Sequence, residues 1–340
     1  MTPPNDDPLH LAIALMEAES TSHAEAPVID LAERLLAERG WTVSRIPVTP
    51  GRDCLLAMST DAPVVTLSTH LDTVPPYIPP RVEGDRLYGR GACDAKGIAA
   101  AQIVAAERLR ARGIAVALLF VVGEETMHDG ALAADAVAPA SCRVLINGEP
   151  TESTLALGTK GALRVRVRAE GRAAHSAYPH LGASATHLLV RKLAELERVE
   201  REMPADELLG ATTINVGMLT GGVADNVLAP SAEARLMIRL VADSGLTLGT
   251  LRRWAGDDLA VEVVSEVPAM RLGAVSGFPT SVVAYATDVP NLGRWGTPYV
   301  YGPGSIHVAH TDHEFIDIAE LRGAVEAYEK LALAALGAST

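Results

Sequence analysis

The 340-residue sequence has few cysteines, few aromatic residues and few basic residues. Its three cysteines, Cys54, Cys93 and Cys142, form no CxxC pair, which excludes a disulfide framework and a thiolate zinc knuckle and favours a reducing cytosol. The 13 aromatic residues (Phe 3, Trp 3, Tyr 7) are too few for a base-stacking platform. With 29 Lys and Arg against 42 Asp and Glu, the net charge of −13 disfavours nucleic acid as a partner, because phosphate binding depends on basic side chains.

Long apolar runs and a targeting signal are also missing from the sequence. The longest apolar run, residues 114–123, is far shorter than a bilayer span. The first ten residues have no basic region and carry Asp6 and Asp7, which is not typical of a signal peptide. Since 48% of the residues are hydrophobic, the chain is not a disordered one. We therefore expect a cytoplasmic protein without a membrane partner.

The first half of the chain alternates strand-like and helix-like segments. Residues 63–67 and 115–122 are mostly apolar and rich in Val and Leu, as expected for strands buried on both faces. Residues 98–112 between them have the composition of a helix, rich in Ala and basic at its end. This alternation predicts an α/β domain with a mostly parallel sheet.

The pattern changes after residue 160. Leu163, Val165 and Val167 alternate with arginines, which is typical of a half-exposed antiparallel strand whose edge can pair with another chain. Apolar strand character of the first kind returns near residue 281. The sequence therefore predicts a catalytic domain made of residues 1–160 and 271–340, interrupted by an inserted α+β domain of residues 161–270.

Ionisable side chains follow the buried strands at the points where these strands end. In an open α/β sheet, ligands bind beyond the carboxyl ends of the strands. A glycine-rich turn before the 98–112 helix and a Gly-rich loop near residue 302 place further side chains at this edge. The residues concerned are His70, Asp72, Asp94, Glu124, Glu125, Glu149 and His310.

Five carboxylates at one edge of a sheet repel one another unless cations are present. Nitrogen and oxygen ligands without sulfur suit zinc, cobalt or manganese, and five carboxylates exceed the needs of one ion. Glu124 and Glu125 are adjacent, so their side chains diverge on an extended chain. We expect one of them to ligate a metal and the other to act as general base towards an activated water, an arrangement that performs hydrolysis.

Five short motifs stand out along the chain. They are His70-Leu-Asp72, Gly91-Ala-Cys-Asp94-Ala-Lys-Gly97, Gly123-Glu-Glu125, Gly148-Glu-Pro-Thr151 and Ala309-His310-Thr311. In their order and spacing these motifs resemble those of the dinuclear zinc amidohydrolases that include acetylornithine deacetylase, succinyl-diaminopimelate desuccinylase, aminoacylase and carboxypeptidase G. The resemblance covers nearly the whole chain.

The resemblance implies a site for two divalent ions, zinc or alternatively cobalt. Asp94 would bridge the two ions. His70 and Glu149 would complete the coordination of one ion, and Glu125 and His310 that of the other.

The resemblance also implies roles beyond metal binding. Glu124 would be the general base, and Asp72 would orient His70. A glutamate at position 149 is more similar to the deacylase and carboxypeptidase branches of the family than to its aminopeptidase branch.

The inserted domain contributes three further candidates. The segment Gly171–Ala177 resembles a family motif whose histidine, here His175, reaches the active site of a partner subunit and stabilises the oxyanion. This resemblance implies a homodimer formed through the inserted domain. The segment Gly221–Asn226 resembles a substrate-binding loop and makes Asn226 a candidate contact. Arg239 is either a bidentate partner of a substrate carboxylate or an ordinary strand arginine.

Other histidines carry no expected role. We expect His128, His180 and His187 to be surface or core imidazoles. The segment 270–302 is shorter than the corresponding segment of typical family members. We interpret the stretch 285–291 within it as what remains of a pocket wall.

These observations predict an amide hydrolase that removes an N-acyl group, acetyl in the first instance, from an amino acid. The segment 301–311 resembles the acetylornithine and acetylcitrulline deacetylases most. The alternatives use the same dinuclear site on other substrates. They are a dipeptidase or carboxypeptidase, a desuccinylase, a hydrolase that releases lysine or ornithine from a carrier protein, and a catalytically inactive binding or scaffold protein.

Overall fold

The computed structural model describes residues 7–338. The helices are α1 (Pro8–Glu17), α2 (Ala26–Glu38), α3 (Lys96–Ala111), α4 (Asp129–Asp135), α5 (Ala185–Leu193), α6 (Leu196–Arg201), α7 (Ser244–Ala255) and α8 (Ile318–Ala338). The strands are β1 (Thr42–Thr49), β2 (Arg52–Met58), β3 (Val65–His70), β4 (Arg81–Glu83), β5 (Arg86–Tyr88), β6 (Val116–Val121), β7 (Val144–Asn147), β8 (Leu155–Thr159), β9 (Gly161–Glu170), β10 (Ala205–Asp206), β11 (Gly210–Ala211), β12 (Thr213–Gly221), β13 (Ser231–Leu240), β14 (Leu259–Val267), β15 (Met270–Arg271), β16 (Thr280–Val283), β17 (Thr297–Val300) and β18 (Phe315–Asp317).

The chain divides into two compact units. Unit 1 comprises the described residues up to Leu157, Leu272–Ser281 and the described residues from Thr287 onwards. Unit 2 comprises Gly158–Arg271 and Val282–Ala286. The last segment is five residues that the sequence analysis assigned to the catalytic domain. It belongs to unit 2 because strand pairing brings it back to the start of that unit, where the Lys160 N–H donates to the Val283 carbonyl oxygen at 3.1 Å.

The large sheet of unit 1 is mixed rather than mostly parallel. Its strands follow the order β1-β2-β6-β3-β7-β17-β8. The pairs β6–β3, β3–β7 and β7–β17 are parallel, whereas β1–β2, β2–β6 and β17–β8 are antiparallel. The expectation of a mostly parallel sheet is therefore correct only for its centre. The β1–β2 hairpin is one cause of the difference, because two strands joined by a tight turn must run antiparallel.

The centre of unit 1 is apolar on both faces of the sheet. Every residue of β3, β6 and β7 is buried, as the Val- and Leu-rich runs predict. Helix α3 packs against α1 and α8 and carries Ala99, Ala100 and Ala101 fully buried. Small side chains at these positions let neighbouring helices approach closely, so α3 is held rigidly next to the strand ends that carry the candidate site.

Unit 2 has its own four-stranded antiparallel sheet and its own core. The strand order is β12-β13-β9-β14, so β9 lies between two partners and its edges are both paired. The expectation that the edge of residues 163–167 is free to pair is therefore wrong. Alternation shows only that one face of a strand is exposed and carries no information about the strand's position in the sheet. The free edges belong to β12 and β14.

Within residues 7–338, no helix combines the length and the apolar composition needed to cross a membrane.

Candidate metal centre

Three neighbouring parallel strands deliver ionisable side chains to one edge of the unit 1 sheet. Strand β3 ends at His70, β6 is followed by Glu124 and Glu125, and β7 is followed by Glu149. After β6 the chain turns at Gly123 with a positive φ of 78°. A β-carbon at this position would lie 2.1 Å from an oxygen of Asp129, so only glycine fits. The turn places the two glutamates where the strand-end pattern predicts them.

The loop before α3 presents Asp94 to the same edge. Its backbone N–H groups converge on one carboxylate oxygen, Oε1 of Glu314, at 2.9 Å from Gly91, 3.2 Å from Cys93 and 3.2 Å from Asp94. The other oxygen of Glu314 accepts a hydrogen bond from Arg90 Nη1 at 2.7 Å. Glu314 is buried, and it fixes the loop although it is more than 200 positions away in the sequence.

The two carboxylate oxygens of Asp94 contact two different histidines. His70 Nε2 lies 3.0 Å from Oδ1, and His310 Nε2 lies 3.3 Å from Oδ2. His310 Nε2 also lies 3.0 Å from Oε1 of Glu125. Ligand atoms of His70, Asp94 and Glu125 all fall within 4.8 Å of one another. Four of the five predicted metal ligands are thus in direct contact.

Asp72 connects the strand ends to one another. Its carboxylate accepts the backbone N–H of Glu124 at 3.2 Å and of Glu125 at 3.3 Å. It also accepts the hydroxyl of Ser22 at 2.8 Å and lies 3.6 Å from Nδ1 of His70. Asp72 therefore fixes both the imidazole ring and the turn that carries the two glutamates.

Glu149 and Glu124 are buried carboxyl groups near this cluster. Burial is the main reason why the pKa of Glu149 is raised well above its ordinary value, and the nearby Glu124 carboxyl adds to the shift. Burial likewise raises the pKa of Glu124, to which Asp288, Glu125 and Asp94 add. Oε1 of Glu149 has no hydrogen-bond partner among the described residues. An unpartnered buried oxygen of this kind is costly unless a cation or another group contacts it.

The pKa values of the two histidines are also raised, but the cause is contact with carboxylates and not burial. Hydrogen bonds with Asp94 and Glu125 raise the pKa of His310 to about 10. Burial would lower the pKa of His70, but its contacts with Asp72 and Asp94 outweigh burial and raise it. The pKa of Asp94 is held below its usual range by the same two histidines in spite of burial. The cluster thus needs positive charge among its carboxylates.

The residues fit a divalent metal centre. The donor set consists of imidazole nitrogens and carboxylate oxygens without sulfur, which suits zinc, cobalt or manganese. The unpartnered Glu149 oxygen and the two differently directed Asp94 oxygens provide coordination positions for more than one ion. A pair of divalent cations would supply the positive charge that the clustered carboxylates require.

The candidate residues of unit 2 fall into two places. His175 and Asn226 lie on adjoining exposed loops, because the Ser176 N–H donates to the Asn226 carbonyl oxygen at 2.9 Å and His175 forms a β-bridge with Val227. Arg239 lies on β13, eight residues beyond the start of that strand at Ser231. At about 3.3 Å per residue this is roughly 25 Å along the strand. His175 and Asn226 are therefore close together in this unit, whereas Arg239 lies on a different element, near the end of β13.

Sequence reasoning missed four residues that contact the cluster or its supports. Ser22 and Glu314 hold Asp72 and the Asp94 loop, and neither belongs to a motif that signals such a role. His128 was expected to be an ordinary surface or core imidazole, but its ring is buried between Glu124 and Asp288. The only sequence signal was proximity, since His128 follows Glu124 by four residues and Asp288 lies in the stretch interpreted as a pocket wall.

The fold and the cluster define a metal-dependent hydrolase. Residues 66–334 match the family described as "Peptidase family M20/M25/M40", so the chain belongs to this family. A "Peptidase M20 domain-containing protein" of Schizosaccharomyces pombe is 37% identical over 349 residues, which cover 98% of this chain and 86% of that protein. A "Probable carboxypeptidase" of Aspergillus fumigatus is 37% identical over 377 residues, which cover 96% of this chain and 86% of that protein.

Solved structures of peptidases share the fold. A tripeptidase from Staphylococcus aureus has a TM-score of 0.79 at 17% identity, covering 98% of this chain and 99% of that one. A dinuclear metal binding peptidase of the M20 family from Bacillus subtilis has a TM-score of 0.71 at 14% identity, covering 97% of both chains. Identities this low show the fold alone. Family membership establishes the protein as a metallopeptidase-type hydrolase of amide bonds.

Proposed function

We propose that the protein hydrolyses the amide bond between an acyl group and the amine of an amino acid whose carboxylate is free, with N-acetyl amino acids of the acetylornithine type as first candidates. One observation carries the proposal: Asp94 directs one oxygen to His70 and the other to His310, with Glu125 at the second histidine. A bridging carboxylate between two metal positions requires this arrangement.

These contacts bring together four of the metal-holding residues of this proposal, and the family resemblance adds Glu149. Asp94 would bridge two divalent ions, zinc or cobalt, with His70 and Glu149 at one and Glu125 and His310 at the other. Bound ions of this kind polarise a carbonyl oxygen and make water a stronger nucleophile at neutral pH.

Glu124 is the proton carrier in this proposal. Its carboxylate accepts a proton from the water that attacks the amide carbon, and it then gives this proton to the leaving amine nitrogen as the C–N bond breaks. Its side chain is only 12% exposed, which limits proton exchange with bulk water. Asp72 supports the transfer by holding the backbone N–H of Glu124 and the ring of His70.

In this proposal unit 2 acts as a lid whose residues contact the substrate. His175 and Asn226 would stabilise the oxyanion and the substrate in the site of a partner subunit, and Arg239 would bind the substrate carboxylate. Arg239 lies near the end of β13, on a different element from the His175 loop, and the two residues would act in different subunits. The homodimer would form through β12, an exposed edge strand of the unit 2 sheet that carries the exposed apolar residues Val216, Met218 and Leu219.

A carboxypeptidase or dipeptidase is the second candidate. The curated relatives named as carboxypeptidases favour it, and its substrates share the amide bond beside a free carboxylate. Desuccinylase and carrier-protein lysine or ornithine hydrolase activities differ from the first candidate only in the acyl group. An inactive scaffold protein is the least supported alternative, since all five ligand positions and the general base are occupied by suitable residues. A cytoplasmic location remains a prediction.

The test is a substrate panel with added zinc or cobalt. We expect N-acetyl amino acids to be cleaved with a higher kcat/KM than N-succinyl amino acids, dipeptides or longer peptides. A higher value for dipeptides or peptides would replace the deacylase by the peptidase. As a control, Glu124→Gln should bind metal normally and lose about 10²- to 10⁴-fold in kcat. Wild-type turnover by this variant would overturn the mechanism.

A further inference from the structure

A buried histidine–aspartate pair lies beside Glu124. Nδ1 of His128 lies 2.8 Å from Oδ1 of Asp288, and the two side chains are 9% and 1% exposed. The same nitrogen lies 3.9 Å from Oε1 of Glu124. A carboxylate only accepts hydrogen bonds, so the hydrogen that joins His128 to Asp288 is carried on Nδ1. This N–H is donated to Asp288, and the edge of the ring that carries it packs against the Glu124 carboxyl group.

The backbone holds the imidazole in this place. His128 is the residue before α4 and has a left-handed backbone with a φ of 54°. Its N–H donates to the carbonyl oxygen of Gly123 at 2.8 Å, which closes the chain back onto the turn that carries Glu124. A residue other than glycine is uncommon in this conformation, which destabilises the fold by about 1 kcal/mol or more. The strain is tolerated at the position where the ring meets Glu124.

The aspartate is fixed independently of the histidine. Asp288 immediately precedes a single 3-10 turn, Val289–Asn291, that packs against α4. Downstream of this turn, Trp295 Nε1 donates to the Ala134 carbonyl oxygen at 3.3 Å and the Arg294 N–H donates to Asp135 at 2.8 Å. The second oxygen of Asp288 has no hydrogen-bond partner among residues 7–338. Asp288 thus binds the His128 ring and has few competing bonds among these residues.

We propose that His128, held by Asp288, is a positioning residue for Glu124. The edge of its ring packs 3.9 Å from Oε1 of Glu124 and limits the directions that this carboxyl group can take, so that the group stays aligned with the water and the leaving nitrogen while it accepts and then donates the proton. Asp288 keeps the tautomer and the ring orientation that this contact needs. The inference rests on the proposed role of Glu124 as general base.

The test compares two substitutions at position 128 on the full-length, metal-loaded protein. His128→Ala removes the ring and should lower kcat about 10- to 100-fold, with KM and metal content within twofold of wild type. His128→Asn should restore kcat to within about threefold, because the asparagine amide places a donor near the position of Nδ1 and asparagine tolerates a left-handed backbone. Asp288→Ala should lower kcat as His128→Ala does.

The chain offers a matched control. His23 also has a left-handed backbone, with a φ of 77°, but its side chain is exposed. His23→Ala therefore makes the same chemical change at the same kind of backbone and should leave kcat within twofold of wild type. If His128→Ala does not fold, Asp288→Ala carries the same expectation at a position with ordinary backbone angles.

Non-additivity separates this inference from the function on which it rests. Because His128 acts through Glu124, the double variant Glu124→Gln/His128→Ala should be no slower than Glu124→Gln alone. Wild-type kcat in His128→Ala, loss of metal in that variant, or an additive effect in the double variant would overturn the positioning role and leave the proposed function standing. Wild-type kcat in Glu124→Gln would overturn both.

Discussion

Asp94 illustrates how one residue can define a site. Its two oxygens contact two histidines from distant parts of the chain, and its backbone is held by Glu314. A neutral side chain of the same shape would keep some of these contacts but lose the charge that attracts cations. The metal content of variants at this position and at the other ligands therefore tests the ligand assignment directly.

We predict different metal stoichiometries for two isosteric variants. Asp94→Asn should lose both ions, because it removes the bridging charge, whereas Glu149→Gln should lose one. Metal analysis of the purified proteins measures the number of ions bound to each variant. Added zinc or cobalt should raise the Tm of the wild type, since a ligand at 100 times its Kd stabilises by about 2.7 kcal/mol, and should not raise that of Asp94→Asn. Equal metal loss in the two variants would contradict a bridging role for Asp94.

At this scale the sequence predicts which residues cluster better than it predicts the residues that support them. His70, Asp94, Glu125 and His310 come together as the strand-end pattern and the motifs predict. Their supports, Glu314 and Ser22, could not be predicted, because one side chain holds a loop more than 200 positions away and the other contacts Asp72 across 50 positions. A buried hydrogen bond between distant positions leaves no periodicity in the sequence.

At the scale of secondary-structure elements, a buried ion cluster joins α2, β2 and α4. Arg52 on β2 binds the carboxylate of Glu25, next to α2, at 3.0 Å and that of Asp129, the first residue of α4, at 2.5 Å. Glu25 is fully buried and Arg52 nearly so. Because Asp129 also contacts the turn at Gly123, this cluster connects the edge of the sheet to the turn of the candidate site.

We predict that Arg52→Met lowers the free energy of unfolding by about 3–5 kcal/mol, because it leaves the buried carboxylate of Glu25 without a cation. Arg45 is the matched control: it also contacts carboxylates, those of Asp30, Glu33 and Asp53, but its side chain is 34% exposed. Arg45→Met should cost at most about 1 kcal/mol. Urea unfolding of both variants measures the difference, and equal losses would show that burial of the Arg52 cluster does not decide its contribution.

Element types were easier to predict from the sequence than their pairing. The apolar runs at β3 and β6 and the helix α3 occur where their patterns predict them. The antiparallel strands at both ends of the sheet and the central position of β9 were not predicted. Side-chain periodicity reports which faces are buried, whereas the order of strands depends on contacts between distant segments that a single sequence does not display.

At the scale of the whole molecule, the proposed homodimer gives a direct prediction. Leu219→Arg places a charge on the exposed β12 edge and should convert the dimer to a monomer, with activity falling as His175 leaves the partner's site. Val264→Arg makes the same change on β14, the other edge of the sheet, where Val264 is similarly exposed. This control should remain dimeric. Sedimentation measures the mass, and a fully active Leu219→Arg monomer would contradict the trans role of His175.

The discontinuity of unit 1 has a consequence for biosynthesis. Strand β17 lies between β7 and β8 in the sheet, yet it begins 150 positions after β7 ends at Asn147, at Thr297. At a synthesis rate of about 5–20 residues per second, the ribosome needs roughly 8–30 s to make the intervening chain. During this interval β7 and β8 have emerged without the strand that separates them, whereas Gly158–Arg271 of unit 2 emerges as one uninterrupted stretch. The half-made sheet is thus the nascent species most exposed to aggregation, and chaperone demand during translation should fall once residue 300 has left the ribosome.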